Sequence, residues 1–249
     1  MSEDIAFAAT NGIGRIALDR PTKINALTAA MMDRLADLIA ACAARDDLVL
    51  LVIEGRGARG FCAGADVAEF ASGAEALERQ LLALTRLMLA MERSRLPIMV
   101  LVHGRTLGGG AAIAALADLV IASDDTAFGY PEMHIGLFPA VVTAVLRRRL
   151  PEAQAHALTI GGRVLTAVEA QALGLVTEIL PAASFAALAE ARIAHYAERA
   201  PALAAARACR PDGAAALEAD LAAARIILLR NFAAPATQTT LHAFLAPRR

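Results

Sequence analysis

Residues 48–70, LVLLVIEGRGARGFCAGADVAEF, set an apolar run directly before Gly55-x-Gly57-x-x-Gly60. A strand feeding such glycines is the pattern that seats a dinucleotide pyrophosphate on a helix N-terminus. That chemistry needs the helix to begin inside the motif and an acid about 20 positions further on, at the end of a second strand. Here the glycines run into FCAGAD, which carries further small-residue turns and starts no amphipathic helix. The acids at the required distance, Glu75 and Glu78, fall inside a long helical pattern. Nicotinamide or flavin chemistry is therefore set aside. Schiff-base chemistry has one candidate, because Lys23 is the only lysine, and it sits in a polar Pro-Thr-Lys turn.

A second glycine cluster, LGGGAAIAALAD, reads as a turn entering a helix, with Gly109 and Gly110 at its start. The free N–H groups and dipole of a helix start favour negative charge, and residues without bulk let a ligand approach the backbone. Other reactive residue types have plainer readings. Cys62 has no histidine placed to activate it and reads as a small apolar filler. His103 reads as a strand-end packing residue, and Asp124 and Asp125 as turn formers. The cluster Arg147-Arg148-Arg149 reads as a solvated helix face.

The elements that must position these residues alternate between strand and helix. IAFAATNGIGRIALDRP is a hairpin around Asn11-Gly12, a favoured turn pair. TAAMMDRLADLIAACAARDD has apolar residues at helical spacing with Thr28 as N-cap. Leu48 to Ile53 is a buried strand, followed by a Gly/Arg loop. GAEALERQLLALTRLMLAMERS is a second long helix, PIMVLVHG a second buried strand, and LVIASDD a short one. LPEAQAHALTIGGRVLTAVEAQALGLVTEILP predicts two helices around a Gly-Gly turn, then a strand. From Ala182 onward the pattern is helical and alanine-rich, interrupted at Pro201, Pro211 and Pro235. No fixed-period repeat is visible. The class is α/β.

Composition narrows the partners. Of the 249 residues, 57% are hydrophobic, enough for a sizeable core, and formal net charge is −1. No basic groove for nucleic acid and no membrane-surface patch is expected, and Trp is absent. The most apolar run, residues 111–122, contains Asp118 and is too short to span a bilayer. The start, MSEDIAFAATNG, has none of the charge and apolar order of a secretory leader. Cys42, Cys62 and Cys209 show neither metal-ligand nor disulfide spacing, so a reduced, cytoplasmic protein is expected.

RGFCAGADVAEF, HGRTLGGGAAIAALADLVIASDDTAFGYPEMHIGLFP and GRVLTAVEAQALGLVTEILP, in that order, resemble the enoyl-CoA hydratase/isomerase (crotonase) superfamily. The likeness covers about residues 13–181, with NALT at 25–28 and the final LHAFLAPRR also fitting. It implies an α/β, crotonase-like (ClpP/crotonase) superhelix of repeated ββα units. Residues 1–181 would form the acyl-CoA-binding core, and residues 182–249 a helical region for packing into a homotrimer or a dimer of trimers. No cofactor or metal is implied, since coenzyme A is part of the substrate.

The shared act of the family is to stabilise an enolate formed from an acyl-CoA thioester. By resemblance the oxyanion donors are the N–H groups of Ala63 and Gly109. The coenzyme A moiety would lie over Ala63, Gly64, Ala65 and Asp66, near the Lys23–Ile24 turn and Gly109, with its phosphates on arginines that sequence does not single out. Hydratases of the family use two glutamates flanking one water. The first position is Ala112 here, which moves no proton; the second is Glu132. A lone Glu in an apolar pocket has its pKa raised by desolvation, which suits it to take and return a proton near neutrality. His134, close by, is a candidate to tune it. The family's PGxGGTQ is replaced by PAVVTAV, so Pro139, Val141 and Val142, with Ala112, are expected to line a tightly filled acyl pocket. One carboxylate suits enoyl-CoA isomerisation or, more slowly, hydration. Thioester hydrolysis, C–C cleavage and a weakly active CoA-binding partner role are the alternatives.

Overall fold

The computed structural model describes residues 4–246. The strands among them are β1 (Ile5–Thr10), β2 (Ile13–Leu18), β3 (Leu50–Gly55), β4 (Ile98–Val102), β5 (Arg105–Leu107), β6 (Leu119–Ser123), β7 (Ala127–Gly129), β8 (Val164–Thr166) and β9 (Glu178–Leu180). The helices are α1 (Ala29–Ala43), α2 (Val67–Phe70), α3 (Ala74–Arg93), α4 (Gly109–Leu116), α5 (Ala140–Leu146), α6 (Glu152–Gly161), α7 (Ala167–Ala172), α8 (Phe185–Ala197), α9 (Ala200–Ala208), α10 (Ala214–Ala233) and α11 (Pro235–Leu245).

β1 and β2 form the expected hairpin, with Asn11 and Gly12 both at positive φ, the geometry whose twist matches the strands it joins. The large sheet has order β1-β2-β3-β4-β6-β9 and is parallel from β2 onward. Alternation along its strands divides the core. Leu51, Ile53, Ile98, Val100 and Val102 join the main core under α1 and α3. Leu50, Val52, Met99, Leu101 and Ile121 join a second cluster closed by Ala189 and Ile193 of α8. Burial on both faces explains the uninterrupted apolar run of β4. Thr28 caps α1 by accepting from the Met31 N–H.

The small sheet, β5-β7-β8, positions the site. β4 passes through a Gly104 turn into β5, and β5 into α4; β6 likewise passes into β7 and then a 3₁₀ turn at Pro131–Ile135. Cys62 pairs with Thr106 beside β5, so a third segment joins the same layer. Repeated ββα units are thus present, and they stack three chain segments edge to edge.

The alanine-rich C-terminal part is not a separate core. Leu217, Leu221, Leu228 and Phe232 of α10, and Leu241 of α11, belong to the main core. Phe232 packs edge-on against Phe70, with ring centroids 6.5 Å apart. The expected division at 181/182 therefore marks a change in composition, with both sides sharing one core; residues 1–3 and 247–249 of the two expected regions, and so the end of LHAFLAPRR, lie outside the described residues. Buried Arg207 of α9 ties this part down. It donates to the carbonyls of Met91 (2.8 Å), Glu92 (2.9 Å) and Ser94 (2.8 Å) at the end of α3, and pairs with Asp118 at 2.8 Å. In the Arg147-Arg148-Arg149 cluster Arg147 and Arg149 are exposed, as read, but the cluster is also anchored: Arg149 donates to the carbonyls of Ala115 and Ala117 at the end of α4, and half-buried Arg148 to Gly213 O.

Candidate active site

Three segments leave the small sheet side by side. Leu107 N–H donates to Cys62 O at 2.8 Å, and Gly108 N–H to Gly129 O at 2.9 Å. These bonds bring residues 63–65, the Gly108–Gly109 helix start and Glu132 to one place. Ala65, Gly109 and Glu132 then line a single apolar cavity of about 60 Å³.

The backbone donors differ from expectation at one position. The N–H of Ala63 is already engaged, donating to Ile24 O at 2.8 Å, so Ala63 is not a free donor. The free one is two residues on. Leu27 bridges to Ala65 by accepting from Asp66 N–H (2.9 Å) and donating to Gly64 O (2.8 Å). In that pairing the N–H of Ala65 itself faces away from Leu27. Among the described residues nothing accepts from Ala65 N–H or from Gly109 N–H. The two amides are neighbours: a Cβ built on Gly109 would lie 3.8 Å from Ala65 N, and one on Gly64 would lie 3.4 Å from Gly109 N. Two unoccupied N–H groups facing one gap, one of them at a helix N-terminus, favour a developing oxyanion.

Glu132 follows Pro131 in the 3₁₀ turn, which closes with Gly136 in the left-handed region at φ 78°. Part of the residue reaches the surface, but its Oε2 is sealed from solvent and has no hydrogen-bond partner. Desolvation pushes its pKa up to about 7, against the lowering effect of a backbone hydrogen bond. Its Oε1 lies over Gly108, whose φ of +48° and missing Cβ make the approach possible.

The Lys23–Ile24 turn is built under strain. Ile24 and Asn25 both occupy the left-handed region, at φ 51° and 54°, which a β-branched residue adopts at a cost. Buried Asn25 holds the turn. Its side chain accepts from Arg20 N–H at 2.8 Å and donates to Arg56 O at 3.0 Å and Phe61 O at 2.9 Å. The Gly55–Gly60 glycines serve this close crossing: a Cβ on Gly57 would lie 2.5 Å from Pro21 Cβ. Lys23 is exposed beside it. The guanidinium of Arg59 spans the carbonyls of Pro21 and Thr22 at the same turn. Asp66 caps α2 through Ala68 N–H (3.0 Å) and pairs with Arg20 at 2.5 Å, so its carboxylate is engaged within the protein.

Pro139, Val141 and Val142 line the cavity with Met32, Phe70, Leu77, Leu81, Leu84 and Leu137. Ala112, expected with them, is not on the cavity wall; it is fully buried on α4. Sequence reasoning named none of the wall residues from α1, α2, α3 and α10. Leu228 arrives from α10, and Gln80 from α3. His134, the candidate to tune Glu132, is exposed with its ring against Gly162, and it makes no hydrogen bond to the Glu132 carboxylate among the described residues. His103 Nε2 bonds Gly57 O at 2.7 Å. Burial pushes the Cys62 thiol up to about 12, which leaves it unreactive. Among the described residues no group of three or more His, Cys, Asp or Glu is placed to hold a metal, and no helix is long and apolar enough to cross a membrane.

A family model described as enoyl-CoA hydratase/isomerase matches residues 13–246. A probable enoyl-CoA hydratase, echA8, of Mycobacterium bovis is 33% identical over 183 residues, covering 72% of this chain and 70% of that protein. Small ribosomal subunit protein mS47 of Neurospora crassa is 30% identical over 207 residues, covering 79% of this chain but 40% of that protein. The crystal structure of enoyl-CoA hydratase from Bacillus halodurans superposes with a TM-score of 0.87 at 23% identity, covering 97% of this chain and 100% of that one.

Proposed function

The chain belongs to the enoyl-CoA hydratase/isomerase family, and from that premise we propose that it moves the double bond of a short enoyl-CoA thioester from position 3 to position 2. The observation that carries this reading is the solitary Glu132. It is the one titratable group on the cavity wall, it is desolvated, and its pKa of about 7 suits both directions of proton transfer near neutrality.

In this reading the thioester oxygen accepts from Ala65 N–H and Gly109 N–H. Glu132 carboxylate removes a proton from C2, and the electron pair moves onto the thioester oxygen as an enolate. Glu132, now a carboxylic acid, returns the same proton to C4 as the double bond settles between C2 and C3. No water is consumed. Each oxyanion donor typically lowers such a barrier by about 2.7–4 kcal/mol. The nucleotide end of coenzyme A runs along residues 63–66 and the Lys23–Ile24 turn, where Lys23 and Arg59 are the cations at hand for its phosphates. The cavity of about 60 Å³ is under half of the ~150 Å³ that holds a benzene ring, which favours short acyl groups.

Hydration is the second reading, favoured by relatives named enoyl-CoA hydratases. Ala112 weighs against it, since it supplies no second group for the water. Incubation with 2-enoyl-CoA and 3-enoyl-CoA thioesters, with the isomers resolved by liquid chromatography and the hydrated product identified by mass spectrometry, separates the two. Conversion of the 3-enoyl substrate without mass change, lost in Glu132→Gln, is expected. Rapid addition of water to 2-enoyl-CoA would overturn the isomerase reading.

Assembly into a homotrimer or a dimer of trimers, in a reducing cytoplasm, completes the proposal. Exposed Ile226, Ile227, Phe244 and Leu245 on α10 and α11 give a second copy an apolar surface to cover. A monomer by light scattering at micromolar concentration would refute it.

A further inference from the structure

Gln80 is a buried polar side chain in an otherwise aliphatic part of the cavity wall. Its orientation is fixed by its surroundings. Nε2 faces acceptors only: Glu69 Oε2 at 2.7 Å, Asp66 O at 3.2 Å and Leu27 O at 3.4 Å. Turning the amide over would set an oxygen against those same acceptors. Glu69 is itself held, since its Oε2 also accepts from Ala29 N–H at 2.9 Å. The Oε1 atom is therefore locked as a hydrogen-bond acceptor. No donor reaches it among the described residues, it is not one of their sealed, unpartnered atoms, and the side chain that carries it lines the cavity.

We propose that Gln80 Oε1 is a specificity determinant that accepts a hydrogen bond from a hydroxyl on the acyl chain beyond C3, so that the preferred substrates are short hydroxyacyl-type thioesters. This rests on the acyl-CoA reading above. An alkyl chain would press methylenes against an oxygen that has lost its water and gained no donor. Sites with a fixed polar group discriminate strongly against analogues that leave it unpaired. The neighbouring walls, Leu77, Leu81 and Leu84 on the same helix, offer such a hydroxyl no competing partner.

The test uses non-reacting saturated acyl-CoA thioesters of four to six carbons, with a hydroxyl at C4, C5 or C6, an O-methyl ether there, or no substituent, titrated calorimetrically into the full-length protein. At one chain position the hydroxyl compound should bind about tenfold or more tightly than both partners, equivalent to about 1.4 kcal/mol. In Gln80→Met that ratio should fall close to one. Equal binding of all three compounds by wild type overturns the inference and leaves the acyl-CoA reading standing. Failure of every thioester to bind overturns both. If Gln80→Met weakens all compounds alike and the preference survives, Gln80 is a clamp for α2 and α3 and the inference is wrong. If that variant does not fold, the wild-type comparison of hydroxyl with O-methyl ether still decides.

Discussion

Glu132 Oε1 rests directly on the α-carbon of Gly108, so closely that a Cβ on Gly108 would collide with it. The glycine at the start of α4 therefore has two tasks. It turns the chain at φ +48° into the helix that presents Gly109 N–H, and it leaves room for the carboxylate above. Gly108→Ala should displace Glu132 and strain the turn together. We expect turnover to fall by at least about 100-fold, the low end of what a general acid–base group supplies. The fold should survive, because the rest of α4 is unchanged. Near-wild-type turnover with an unaltered circular dichroism spectrum would mean that the carboxylate does not work from this position.

Glu132 links activity and stability in opposite directions. Its pKa is about 7 in the folded chain against 4.5 for the unperturbed side chain. The folded state thus holds the proton to higher pH than the unfolded state does. Wild-type stability should fall as pH rises from 4.5 to about 7, because burying the charged form is unfavourable. Glu132→Gln cannot ionise. Near pH 4 the two proteins should be similarly stable; at pH 8 the variant should be the more stable, by on the order of 3 kcal/mol. Wild-type kcat/KM should rise through about pH 7 as the base form appears. Denaturant titrations at both pH values check the first statement, and a pH–rate profile the second. A Glu132→Gln protein that loses stability at pH 8 would contradict the buried-carboxylate account.

The limits of sequence reading in this chain have physical causes. The hairpin at Asn11-Gly12, the Thr28 cap, α1, α3 and the parallel strands were legible because each is set by local turn chemistry or a long periodic pattern. β5, β7 and β8 have three residues each, too few to show an alternation, so the ββα repetition was expected from the family resemblance and not from periodicity. The segment 63–66 was identified, but the choice between the Ala63 and Ala65 amides depends on which of them pairs with Ile24 and Leu27, a contact between distant stretches of chain. Glu132 followed from its motif. Gln80 reads in sequence as one polar residue on an amphipathic helix, and only the approach of Glu69, Asp66 and Leu27 fixes its amide. The alanine-rich tail looked like an appendage because its apolar residues are sparse, yet Leu217, Leu221, Leu228 and Phe232 fall on one buried stripe of α10.

Arg207 tests how the C-terminal helices are held. Its guanidinium satisfies three carbonyls at the end of α3 and the carboxylate of Asp118, which also accepts from Ile98 N–H at the start of β4. Arg207→Met keeps much of the aliphatic stem but removes the donor shared by the three carbonyls and leaves Asp118 with Ile98 N–H and the longer contact to Arg210. Breaking a buried pair from one side costs about 3–5 kcal/mol. Thermal unfolding should come roughly 10 °C lower at this chain length. The residue lines no part of the cavity, so kcat of the folded variant should stay within a few-fold of wild type. An unchanged melting temperature would show that the network adds no net stability.

Ala112 tests the single-carboxylate chemistry most directly. It lies one turn after Gly109 on α4, where residues three apart share a face. A glutamate there would carry a carboxylate past the helix surface toward the space between the Gly109 amide and Glu132. That placement would give a water the second polar group it now lacks. Ala112 is fully buried, so the longer side chain must displace packed neighbours, and overpacking of this kind costs about 1–3 kcal/mol. Two carboxyl groups sharing one apolar site cannot both ionise freely, so one pKa should rise further. The resulting acid–carboxylate pair is the arrangement that adds water to a double bond. Ala112→Glu should therefore shift the product ratio from 2-enoyl-CoA toward 3-hydroxyacyl-CoA, even if total turnover falls. Liquid chromatography with mass spectrometry, which resolves the isobaric 2- and 3-enoyl thioesters, reads this ratio from a 3-enoyl-CoA substrate without reference to absolute rate. If the folded variant forms no more hydrated product than wild type, the empty place at Ala112 is not what limits hydration, and Glu132 already holds the water by itself.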